Sequence, residues 1–129
     1  MYEALSTMYD FRYLDYFRLF QQEKFFEAHE VLESLWRETQ GRDREFYHGL
    51  IQLAAALVHF QKGNFKGAKE LFRTASHYLR PCLPHYQGVR LSEVLKDFRE
   101  FLKAWSKAPD EPSIARGLLP RVTLEKKET

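Results

Sequence analysis

The chain runs to 129 residues, 44% of them hydrophobic and 16% aromatic, a size that one domain fills and that buries about two thirds of the unfolded surface without staples. Its single cysteine, Cys82, excludes an internal disulfide, and the surrounding Arg80-Pro-Cys-Leu-Pro-His85 has no metal or redox spacing, so a reduced, cytoplasmic protein is expected. The formal charge of +2 hides a split, since residues 1–61 carry six Lys/Arg against ten Asp/Glu while 62–107 carry ten against four; nucleic-acid binders concentrate basic residues more strongly, so nucleic acid is not the expected partner.

In chain order, Met1-Tyr-Glu-Ala-Leu-Ser-Thr-Met8 has neither the basic nor the apolar region of an export signal. Asp10 suits the N-cap of a first helix in which Phe11, Leu14, Phe17 and Phe20 form an inward stripe, with Tyr9, Tyr13, Tyr16 and Leu19 on a second face. One helix does not bury two faces in a single core, so the second face is expected against the chain's own tail or in a two-fold homodimer through this helix. A second helix, Lys24 to Arg37, places Phe25, Ala28, Leu32 and Leu35 along one face. At the break Thr39-Gln-Gly-Arg-Asp43, Gly41 suits a helix C-cap and Asp43 an N-cap.

The central stretch runs from Phe46 to Phe60 and from Leu50 onward is apolar on every side apart from Gln52 and His59, the mark of a buried helix. Its uninterrupted part rises only about 16 Å, short of a bilayer, so it reads as a core around which the other helices wrap, not as a membrane span. Lys62-Gly-Asn-Phe65 is a tight turn, and a short connection makes antiparallel neighbours. A helix over Gly67 to Leu79 turns Ala68, Leu71, Phe72, Ala75 and Leu79 inward and stops at Pro81 and Pro84. Leu91 to Trp105 has the cleanest amphipathic pattern, with Leu91, Val94, Leu95, Phe98, Phe101, Leu102 and Trp105 on one face. The expectation is an all-α, five-helix bundle over 1–107, with 108–129 as an extended tail docked on it.

An internal repeat supports the hairpins: Phe20-Gln-Gln-Glu-Lys-Phe-Phe-Glu-Ala-His-Glu30 aligns with Phe60-Gln-Lys-Gly-Asn-Phe-Lys-Gly-Ala-Lys-Glu70 at an offset of 40. The second copy looks like the turn and second helix of a tetratricopeptide repeat, but two copies at this spacing suit a compact bundle better than a superhelical array.

Three blocks, Phe25-Phe-Glu-Ala-His-Glu-Val-Leu-Glu-Ser-Leu-Trp36, Gly49-Leu-Ile-Gln-Leu-Ala-Ala-Ala-Leu-Val-His59 and Gly63-Asn-x-x-Gly-Ala68, together resemble domain-of-unknown-function family 309, small helical proteins of bacteria and archaea. The resemblance implies a polar signature at His29, Glu30, Glu33, Trp36, Gln52, His59, Asn64 and Gly67, with His48 where the family usually has Gln. It implies no activity.

His29 and Glu33 stand at i, i+4, as do His48 and Gln52, and Gln52 and His59 lie two turns apart on one face. Imidazole and carboxylate are metal ligands and proton carriers. Yet His29-Glu-Val-Leu-Glu33 lacks the second histidine of the zinc protease motif, paired Glu-x-x-His motifs are missing, and there is no phosphate loop, nucleophile elbow or cysteine pair. No catalytic residue, metal or cofactor is therefore assigned. The polar groups are expected to form a buried network fixing helix register, with Trp36 in the core and its indole N–H bonded, and Asn64 as a turn residue. The expected role is a non-enzymatic module holding a protein or peptide against a helical groove. The alternative is a metal-dependent hydrolase using His29, Glu30 and Glu33 with Gln52 and His59.

Overall fold

The computed structural model describes residues 8–125. Among them are five α-helices, α1 (Phe11–Gln21), α2 (Phe25–Arg37), α3 (Gly41–Gln61), α4 (Phe65–Leu79) and α5 (Leu91–Ser106), two 3-10 segments, and no strand. None of these helices is long and apolar enough to cross a membrane.

Asp10 starts α1 by accepting the backbone N–H of Arg12 at 2.8 Å. The inward arc differs from the expected stripe: Leu14, Phe17 and Phe20 are buried, but so are Tyr13 and Tyr16, and Phe11 is 65% exposed. The tyrosines go inward because each finds an acceptor at the end of its ring, Tyr13 donating to the Gln87 carbonyl and Tyr16 to the Leu50 carbonyl, both at 2.7 Å. Burial holds both hydroxyls well above the ordinary tyrosine range, so they stay neutral donors. Packing against Phe46 and Tyr47 of α3 completes the cover over Tyr13. The second aromatic face invoked for a dimer is thus core for Tyr13 and Tyr16.

In α2, Phe25, Ala28, Leu32 and Leu35 are buried as the spacing predicts. In α3, Phe46, Leu50, Leu53, Ala54 and Leu57 are fully enclosed. That helix is not buried all round, however: His48, Gln52, Ala55 and His59, spaced i, i+4, i+7, i+11, form a half-buried stripe. Its start also departs from expectation. Gln40 occupies the N-cap position with extended backbone, Gly41 has φ +74°, and Asp43 accepts the Tyr86 hydroxyl at 2.5 Å instead of capping.

The repeat is visible in the backbone. At the end of α1 the Lys24 N–H donates to the Leu19 carbonyl at 2.9 Å, and at the end of α3 the Asn64 N–H donates to the His59 carbonyl at 2.8 Å. Each closure, a bond from C″ back to C3, places a left-handed residue inside it, Glu23 (φ 59°) in one copy and Gly63 (φ 69°) in the other. Phe20 and Phe60, and Ala28 and Ala68, are buried at equivalent places. Along α4, Ala68, Ala75 and Leu79 are buried and Leu71 and Phe72 half-buried; α5 buries all seven residues of its predicted face.

Gly49 of α3 lies against Leu79 of α4 so closely that a Cβ there would meet the Leu79 Cγ at 2.4 Å. Past α4, residues 83–90 fold over α1 and α3. The segment after α5 is not simply extended: Pro112–Leu118 is a 3-10 helix. Beyond it Val122 is fully buried, the Glu125 N–H donates to the Gly88 carbonyl at 2.7 Å, and Arg116 bonds Glu23 at 2.7 Å.

A candidate binding groove on three helices

The half-buried stripe of α3 faces residues of α2 on one side and of α4 on the other, and we take it as the floor of a candidate groove. On the α2 side stand His29, Glu33 and Trp36, all half-buried. On the α4 side, Tyr78 stacks on His48 with ring centroids 4.1 Å apart, and Gly67 abuts the His59 ring at the other end. Helical spacing puts Leu71 and Thr74 between them.

The signature residues do not make one network. Glu33 pairs with Arg37 at 2.5 Å and lies 3.5 Å from His29 Nε2, while Gln52 Nε2 bonds His48 Nε2 at 3.1 Å. Among the described residues no hydrogen bond joins Glu33 to Gln52. His59 belongs to a third group: its Nδ1 meets the Asn64 Nδ2 at 3.0 Å, and the Asn64 Oδ1 accepts the Gly67 N–H at 2.9 Å. A Cβ on Gly67 would meet both side chains below 3 Å, so the glycine keeps that lock closed. Asn64 is thus the N-cap of α4, and His59 sits with it, apart from the His29 cluster.

Nor is the polar set buried, since its side chains are half-buried or exposed. What is buried is a set of single atoms. His29 Nδ1, Trp36 Nε1 and Gln52 Oε1 are enclosed and have no hydrogen-bond partner among the described residues. For His29 Nδ1 the Glu30 carboxylate is near, at 3.2 Å, but out of hydrogen-bond alignment, so it is a Coulombic neighbour only.

Trp36 corrects the expectation of a bonded core indole. Its ring lies under the Arg44 guanidinium, 4.2 Å from the ring centroid, and meets the His48 ring at 71° with centroids 5.1 Å apart. The N–H is left over. Burial, reinforced by Arg44 and opposed by Glu45, keeps the His48 imidazole below its ordinary pKa, so it favours the neutral form. Arg44 and Tyr78 were not signalled as site residues by the sequence, although the spacing of 67, 71, 74 and 78 places Tyr78 on the face of Gly67.

This constellation spans the region compared with known proteins. Residues 13–71 match the family described as "Domain of unknown function (DUF309)". Similar curated proteins include the uncharacterised protein YpuF of Bacillus subtilis (strain 168), 40% identical over 75 residues, and an uncharacterised protein of Aquifex aeolicus (strain VF5), 30% identical over 79. Those stretches are 57% and 60% of this chain but 43% and 24% of the two relatives, so the chain spans less than half of either. The DUF309 match reaches from Tyr13 in α1 to Leu71 in α4 and takes in both repeated turns and most of the groove.

Proposed function

We propose that the DUF309 groove holds a peptide segment of another protein, as a non-enzymatic binding module built from two tetratricopeptide-like hairpins. The observation that carries this reading is the pair of enclosed, unpartnered atoms either side of His48, the Trp36 N–H donor and the Gln52 Oε1 acceptor. Each such atom costs about 1–3 kcal/mol while unpaired. Both atoms are closed to solvent here, so a peptide unit reaches them, carbonyl to the first and N–H to the second, by displacing the side chains that cover them.

The protein has two tryptophans, and only one is in the groove. Trp105 is fully buried and its Nε1 donates to the Pro109 carbonyl at 3.1 Å. Peptides selected from a display library on the full chain and counter-selected on Gln52→Leu should move the Trp36 indole N–H resonance and leave that of Trp105 in place. Selected peptides that leave Trp36 unmoved, or a library that yields none, would end this reading.

A second reading, a metal-dependent hydrolase, draws on one observation: His29, Glu30 and Glu33 each offer a ligand atom, all within 4.8 Å of one another. Three protein ligands with an open position is the composition of a catalytic zinc site. The wider version of that site loses His59, which serves the Asn64 turn. Elemental analysis of untagged protein separates the readings, because stoichiometric zinc, iron or manganese that disappears in His29→Ala favours the hydrolase.

A further inference from the structure

On α4, the residues facing the polar groove are 67, 71, 74 and 78, whereas Phe65, Lys69 and Phe72 are turned roughly half a circle away at about 100° per residue. They face α5. Between the two helices lies an open cavity of about 380 Å³, lined by Phe65, Phe72 and Leu102 with Lys69, Arg99 and Lys103 around them. Phe65 and Phe72 are only half-buried, although each is braced from behind, Phe65 edge-on to Trp105 at 5.1 Å and Phe72 stacked on Phe98 at 5.6 Å.

We propose that this groove receives an acidic amphipathic segment of a partner protein, its apolar side chains on the two phenylalanines and its carboxylates on the three cations. Charge complementarity argues for that occupant. Lys69, Arg99 and Lys103 are exposed, none forms an ion pair among the described residues, and residues 62–107 hold ten Lys/Arg against four Asp/Glu. An apolar floor inside a basic rim is what an amphipathic helix with acidic flanks fits, since the floor supplies area and the rim supplies orientation and approach rate. A nucleic-acid backbone would use the rim and leave the floor uncovered.

The proposal is independent of the polar groove, and its test is read on different residues. A random peptide library displayed on phage is selected on the full chain and counter-selected on Lys69→Glu/Lys103→Glu, a variant of two exposed side chains whose melting temperature should match the parent's. Recovered peptides should carry Asp/Glu interleaved with Leu, Phe or Trp. They should bind the variant at least about tenfold more weakly, lose affinity between about 0.05 and about 0.5 M salt, and leave the Trp36 indole signal unmoved. Replacing the apolar residues of a recovered peptide by serine should abolish binding. The proposal is overturned if the recovered peptides are basic or neutral, if they bind parent and variant alike, or if none is recovered. It is equally overturned if a single-stranded oligonucleotide of similar length binds the parent more tightly than the best peptide.

Discussion

Replacing Gly49 by alanine tests how tightly α3 and α4 are closed on each other. In an isolated helix the change would be favourable by about 1 kcal/mol, because alanine loses less backbone freedom on folding. Here the new Cβ falls 2.4 Å from Leu79 Cγ and 2.5 Å from its Cδ2, where about 3.4 Å is the ordinary limit. Leu79 has no room to retreat, being fully buried, and the atom struck is its branch point rather than a flexible end. Overpacking of this kind costs about 1–3 kcal/mol, so from the middle of that range the net effect is a loss of about 1 kcal/mol despite the better helix former. Leu79→Ala alone should cost about 3 kcal/mol through its cavity. In the double variant the clash is gone and the helix gain remains, leaving a loss of about 2 kcal/mol and a coupling of about 2 kcal/mol between the sites. Urea unfolding of the four proteins measures all three quantities. Additivity to within about 0.5 kcal/mol, or a Gly49→Ala protein more stable than the parent, would show that the two helices are not in the contact described.

Other consequences are simpler to check. Phe11→Ser should change stability by no more than about 0.5 kcal/mol, while Tyr13→Ala should cost about 3 kcal/mol or more; comparable effects in thermal melts would mean that the α1 register is different. Asn64→Ala should cost about 1 kcal/mol by removing the cap of α4, and a variant as stable as the parent would show that the His59–Asn64–Gly67 lock contributes nothing. Because burial lowers the folded pKa of His48 below the unfolded value of about 6.5, its contribution is whole above that value and is lost as pH falls through the folded pKa. Melting temperature should therefore drop between about pH 7 and pH 5 by less in His48→Gln than in the parent, and equal drops would rule out His48 as a source of acid sensitivity.

Helix order, the buried positions of α2 and α5 and the repeat were legible because hydrophobic period and turn chemistry are local signals. What periodicity alone misread is instructive. Phe11 and Tyr13 differ in that only one has a hydroxyl and a carbonyl waiting for it 74 residues away, and nothing within α1 records that partner. Ala55 and Gln52 belong to an otherwise buried helix, and they stay half-buried because the neighbouring helices cover that stripe only in part. The polar signature was read as one network because its residues share helix faces. Sharing a face brings side chains to the same side of a helix, but hydrogen bonding also needs length and direction, and Glu33 and Gln52 each found a nearer partner one turn away on its own helix.

The two repeated turns share a hydrogen-bond closure but not a residue at its left-handed position. Gly63 takes that conformation freely, whereas a side chain there costs about 1 kcal/mol, and Glu23 has one. Its neighbour Lys24 offers no cap to α2, where Asn64 caps α4. The first hairpin therefore depends on outside support, from Arg116 on the Glu23 carboxylate and Gln61 on its carbonyl. Amide protons around residues 23–28 should consequently exchange with solvent sooner than their counterparts 40 positions on. In the native ensemble the chain would then open first at the turn between α1 and α2, while the α3–α4 pair stays shut.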